Sequence, residues 1–175
     1  MISFKNTTTQ YGLGGRILHW TSVSLLIALI VTANQFEGLA EGLDKKDLVN
    51  LHVSLGLIFL MIMFSRLYWR LTNVNPVHSY QIPSWQKFSA IFLHRTIYAI
   101  VIFQSICGIS SLIFSGKGIA FFSIFTIPTF LTEQKLYLEL SNTLHYVISI
   151  VIYPLFAIHI SAAIYHQLFG VVDDE

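Results

Sequence analysis

The sequence predicts an all-α membrane protein, a bundle of four transmembrane helices. Three observations predict it. Of the 175 residues, 54% are apolar and only 11% are charged, whereas a soluble domain is about a quarter charged. Four apolar stretches reach the ~20 residues that a helix needs to cross the hydrocarbon core. The last stretch carries three histidines, and the spacing of two of them places both on one helical face. The net charge of +1 leaves no footprint for nucleic acid. The single cysteine, Cys107, excludes an internal disulfide, a CxxC metal site and a CxxCH haem attachment. No second domain, internal repeat or low-complexity segment is visible, so residues 1–175 read as one integral-membrane domain.

Residues 1–15 are polar and rich in Thr and Gly, and read as poorly ordered. The first span covers residues 17–36. Lys5 and Arg16 ahead of it, with Val31, Thr32 and Ala33 near its end, give it a faint likeness to a secretory signal. The long polar lead and the embedded His19, Ser22 and Ser24 argue for a retained span. Residues 37–49 form a short acidic connector with Gly38, Gly42, Asp44 and Asp47. The second span covers residues 50–71. Pro76 and Pro83 break any helix across the connector of residues 72–87. The third span covers residues 90–114. Residues 115–140, punctuated by Gly116, Gly118 and Pro128, read as an aromatic loop lying at the membrane interface. The fourth span covers residues 141–168, and an acidic tail closes the sequence.

Orientation follows from Lys and Arg, which concentrate on the cytoplasmic side. With the N-terminus inside, the inner side holds Lys5, Arg16, Arg66, Arg70, Lys87 and Arg95. The outer side holds Lys45, Lys46, Lys117 and Lys135. Six against four places both termini in the cytoplasm.

This topology sorts the histidines by depth. His145 and His159 are 14 residues apart, close to four helical turns, so one face carries both rings ~21 Å apart along the axis. A histidine within a span is a functional-site candidate by default, and neutral imidazole is the commonest metal ligand. The outer layer contains only His52 and His145, on different helices at similar depth. Two imidazoles facing each other across a gap are what the iron of a haem needs at its axial positions. The inner layer contains His19, His94, His159 and His166, of which two could bracket a second haem. His159 shares the stripe of His145, and its best partner is His19, because ligands from separate helices build a site in a bundle core. His78 lies in the inner connector.

Small residues support a large planar ligand. Gly56 follows His52 by one turn, and Ala162 and Ala163 follow His159. Arg66 falls 14 residues after His52, on the same face near the inner end, where it would suit the propionates of the inner haem. Snorkelling to the interface is the plainer role for it. Structural zinc wants four ligands, and neither layer offers a carboxylate or cysteine at bundle depth. An Fe–S cluster is excluded by the single cysteine. A bundle enclosing two non-covalent b-type haems is the expectation.

The residues also carry a resemblance. His19-Trp20 opens span one, the run from His52 to Gly56 (HVSLG) opens span two, and His94 to Tyr98 (HRTIY) lies early in span three. With the H-x13-H-x6-H pattern of span four, this resembles the bacterial cytochrome b561 family, whose members are four-helix dihaem proteins of the inner membrane. The resemblance implies axial pairs His52–His145 for the outer haem and His19–His159 for the inner one. It implies that His94 and His166 serve a quinone site or contact haem propionates. It further implies electron transfer from superoxide, or another donor at the outer face, to ubiquinone near the inner face. On this reading the chain is an oxidoreductase of the superoxide oxidase type, a multi-pass protein embedded in the lipid of the inner membrane.

Two features depart from that pattern. The outer connectors hold Glu37, Glu41, Asp44, Asp47, Glu133 and Glu139 against four lysines, a net of −2, where superoxide would favour positive charge. Leu144 and Tyr146 flank His145 where Trp and Glu are expected. An alternative is therefore a membrane anchor and electron conduit for a separate periplasmic redox enzyme. Metal transport along the histidines is a further one, and it predicts a colourless protein.

Overall fold

The computed structural model describes residues 3–74, 76 and 83–169. Its order is α1 (Leu13–Glu37), α2 (Leu43–Thr72), α3 (Ser84–Phe114), β1 (Ile119–Phe121), β2 (Phe125–Ile127) and α4 (Lys135–Phe169). All four helices are long and apolar enough to cross a membrane. His78 and the acidic tail lie outside the described residues.

Every helix begins earlier than its apolar stretch. α2 starts seven residues before Asn50 and α4 six before Ser141. Polar residues such as Asp44, Lys45 and Glu139 are good enough helix formers to continue the backbone beyond the hydrocarbon. Pro83 stands at the N-cap of α3, at φ −54°, where a missing N–H costs nothing.

The N-terminal segment is better organised than its composition suggests. The Leu13 and Gly14 amides donate to Ser3 O and Phe4 O, at 3.0 and 3.1 Å, and the Gly12 amide donates to Asn6 Oδ1 at 3.0 Å. These bonds satisfy N–H groups that the first turn of a helix leaves free. Asn6 Nδ2 also donates to Val74 O at 2.9 Å, and Phe4 packs edge-on against Trp69. The segment therefore straps the start of α1 to the end of α2.

Residues 115–140 are not simply a loop. They include an antiparallel hairpin pairing Ile119 with Ile127 and Phe121 with Phe125. Phe122 and Ser123 turn it at φ 47° and 58°. The Phe122 amide donates to Ser54 Oγ at 2.7 Å, and Asn50 Nδ2 donates to Ser123 Oγ at 3.2 Å. The hairpin is thereby pinned to the start of α2.

α1 packs along α2 and α3 along α4, while α2 touches α3. Among the described residues, no Cα of α4 comes within 8 Å of one in α1 or α2. The bundle is thus two helical hairpins with a seam between them. One end of the seam, where α1 begins and α4 finishes, is called the entry end; the other is the hairpin end. Between them lies the core of Phe59, Met63 and Val101, packed by Leu25, Leu29, Ile97 and Phe156. Outward-facing Met61, Phe92 and Ile158 lie exposed, a surface that only lipid would cover at low cost.

Candidate functional site

At the hairpin end, His52 and His145 face each other across the seam. His52 Nδ1 lies 3.1 Å from Leu29 O and 3.0 Å from Thr32 Oγ1. A carbonyl can only accept, so Nδ1 carries the proton and donates. On the other side, His145 Nδ1 donates to Gln104 O at 3.0 Å, and Gln104 Nε2 donates back to His145 O at 2.9 Å. Both rings therefore keep a bare Nε2 lone pair, the arrangement in which a backbone carbonyl orients a metal-ligating imidazole.

The ring centroids are 6.3 Å apart and the planes cross at 85°. An imidazole nitrogen sits about 2 Å from a metal and about 1 Å from its own ring centre, so two rings on one ion stand about 6 Å apart. The separation fits an iron between them. Gly108 on α3 makes room for this geometry: a Cβ there would lie 2.9 Å from His145 Cε1. The surrounding cavity of about 220 Å³ is lined by Phe36, Gly56, Ser105, Ser111 and Asn142, among others. At Gly56 a Cβ would meet only Leu29, at 3.9 Å, so the space one turn from His52 is open. Among the described residues, no Lys or Arg lines this cavity.

The entry end is built differently. His19, His94 and His159 all line one cavity of about 400 Å³, with Arg66, Ala163 and Tyr98. The structure brings His94 directly against His159, with ring centroids 5.2 Å apart and planes at 85°. That is closer than two rings sharing an ion. His94 Nδ1 donates to Ala90 O at 2.6 Å. His19 Nδ1 instead lies 2.9 Å from Arg66 Nη2, and Arg66 Nη1 donates to Ser22 Oγ at 2.7 Å. His166 is exposed, does not line the cavity and rests edge-on against Tyr165.

Several residues here escaped the sequence reading. Trp69 and Arg70 also line the cavity, and so does Arg16. Arg66 and Arg70 both lie over the Tyr98 ring, at 5.5 and 5.7 Å from its centroid. Trp69 Nε1 is buried without a hydrogen-bond partner among the described residues. Three guanidinium groups and an unpaired N–H suit a dianion such as the two carboxylates of a porphyrin. Arg70 follows Arg66 by one turn, so helical spacing was the signal for it. Thr32, Gln104 and Gly108 had no such signal, since their parts depend on how helices are rotated against each other. Among the described residues no cluster of three or more His, Cys, Asp or Glu is arranged to hold a metal ion.

A four-helix membrane bundle with imidazoles facing each other across its seam has the build of a membrane cytochrome b. The chain belongs to the prokaryotic cytochrome b561 family, whose model matches residues 10–173. It is 27% identical over 152 residues to cytochrome b561 homolog 1 of Escherichia coli (strain K12), covering 86% of this chain and 85% of that protein. It is 24% identical over 175 residues to cytochrome b561 homolog 2 of the same organism, covering 95% and 89%. Membership implies transmembrane electron transfer through b-type haem.

One consequence concerns the support of His52. Thr32→Val keeps the shape but leaves His52 Nδ1 with a single acceptor, Leu29 O. Losing such a partner weakens metal binding ~10-fold. Haem titration of the variant should show that loss while the entry end is unaffected.

Proposed function

We propose that the chain moves single electrons across the bacterial inner membrane through two b haems. His52 and His145 hold the outer one, and His19 and His159 the inner one. The observation that carries this reading is the His52–His145 pair, 6.3 Å between centroids with both Nδ1 atoms donating to carbonyls. The hairpin end faces outward and both termini lie in the cytoplasm, as the lysine and arginine count favours.

His52 with His145, and His19 with His159, would each hold a haem, which when bound would supply one-electron redox chemistry. The protein's part is to hold, orient and exclude water. Leu29, Thr32 and Gln104 fix the outer rings. Phe59, Met63 and Val101 keep the space between the layers dry. Arg66, joined by Arg70 and Trp69, meets the propionates of the inner haem. His94 is the proton carrier beside ubiquinone: its Nδ1 is tied to Ala90 O, so exchange occurs at Nε2. His166, two turns beyond His159 and outside the cavity lining, would serve the same quinone or the propionates.

The outer donor is superoxide or another reductant, which makes the chain an oxidoreductase in the first case. Ubiquinone reduction driven by a superoxide source, with the purified protein in liposomes, tests it. Turnover that vanishes in His145→Ala supports the enzyme. A second reading has a specific observation in its favour: the outer cavity has no cationic lining and the outer connectors are net acidic. This suits a basic protein donor, with the chain as its membrane anchor and electron conduit. No superoxide-driven turnover, together with copurification of a periplasmic redox protein, would select it.

A further inference from the structure

The two histidine layers are prepared to different degrees. At the hairpin end both Nδ1 atoms donate to carbonyls, so both Nε2 lone pairs are free. At the entry end Arg66 Nη2 lies 2.9 Å from His19 Nδ1. A guanidinium has N–H donors and no acceptor, so His19 Nδ1 must be the acceptor. In a neutral imidazole the proton then sits on Nε2, and that nitrogen has no lone pair to offer a metal. Arg66 Nη1 is anchored as well, on Ser22 Oγ at 2.7 Å, and Ser22 is buried. His19 thus lies in the cavity but is turned off as a ligand.

We infer that Arg66 is a lock on the inner haem pocket, released when the carboxylates of an incoming porphyrin draw its guanidinium off His19, so that the outer pocket fills first. The inference rests on the two-haem reading above and concerns the order in which that site is built. Release lets the His19 proton pass from Nε2 to Nδ1, so that one N–H bond breaks and another forms with no net gain or loss of a proton, and the Nε2 lone pair becomes available to iron. The outer pocket has no such requirement. No Lys or Arg lines it, so the porphyrin's carboxylates have no cation to displace there.

The test uses full-length protein from haem-starved cells, held in neutral-lipid nanodiscs. It is titrated with haemin and with haemin dimethyl ester, whose carboxylates are uncharged. His159→Ala leaves only the outer pocket, and His52→Ala only the inner one. The low-spin Soret band reports loading. Displacing a charge-assisted hydrogen bond is worth about tenfold or more, so the inner pocket should fill with haemin at least ~10-fold more slowly than the outer. The ester should fill the outer pocket as fast as haemin and the inner pocket more slowly still. Adding Arg66→Gln to His52→Ala should remove most of the difference between the two porphyrins. Equal rates for the two pockets, or an Arg66→Gln change that leaves inner loading unaltered, overturns the lock. His159→Ala with Arg66→Gln must load its outer pocket at the rate of His159→Ala alone. If it does not, Arg66 supports the whole fold and the proposal fails. Absence of haem uptake by every variant would contradict the two-haem reading instead.

Discussion

Gly108→Leu should empty the outer pocket of haem while leaving the inner one filled. The reason is local. Even a lone Cβ at residue 108 would stand 2.9 Å from His145 Cε1 and 3.1 Å from Nδ1. These distances require the ring to move, and its freedom is small, because Nδ1 is held to Gln104 O on the same helix, α3. A leucine adds three more carbons in the direction of the ring or of the cavity beside it. His145 Nε2 then loses its alignment with His52, and overpacking of this kind costs roughly 1–3 kcal/mol even where no ligand is involved. Gly108→Ala should give a milder version, with haem retained but its spectrum shifted. Haem per polypeptide by pyridine haemochrome, falling from two to one in Gly108→Leu, checks the prediction. An unchanged count would show that His145 does not ligate from this position.

Single substitutions of the proposed outer ligands should stop electron transfer across the membrane without unfolding the protein. In His52→Ala or His145→Ala the two helical hairpins still share the core of Phe59, Met63 and Val101, and the hairpin of β1 and β2 still binds α2 through Ser54. The inner pocket, ~21 Å away along the axis, should keep its haem. Electrons entering from outside then have no relay, and dye-to-quinone electron transfer in proteoliposomes should fall to the level of protein-free vesicles. Retained transfer in both variants would mean that the outer pair is not on the route.

How much of this was legible in the sequence depends on what fixes each feature. The four spans were legible because apolar length alone decides membrane insertion. Helix ends were not, since residues such as those around Asp44 and Glu139 continue a helix in the interfacial region where hydropathy no longer speaks. The hairpin of residues 119–127 was hidden because three-residue strands are too short to show alternation, and its turn uses Phe122 and Ser123 rather than the Asn-Gly type of signal.

Depth placed His52 opposite His145, and the seam between the hairpins brings the two rings together. Depth could not decide among His19, His94 and His159, which share the entry-end layer. The contact of His94 with His159, and the hold of Arg66 on His19, depend on how α3 sits against α4 and α1 against α2. Periodicity within one helix does not contain that rotation.

Both histidine layers are proposed to hold a haem. The most direct measurement is haem per polypeptide, with a reduced-minus-oxidised spectrum, for the wild type, His52→Ala and His159→Ala. Two b-type haems in the wild type, and one in each variant with a different half of the spectrum missing, is the predicted result. A colourless wild type from haem-replete cells would contradict haem binding by the two layers, as would a variant that keeps both haems.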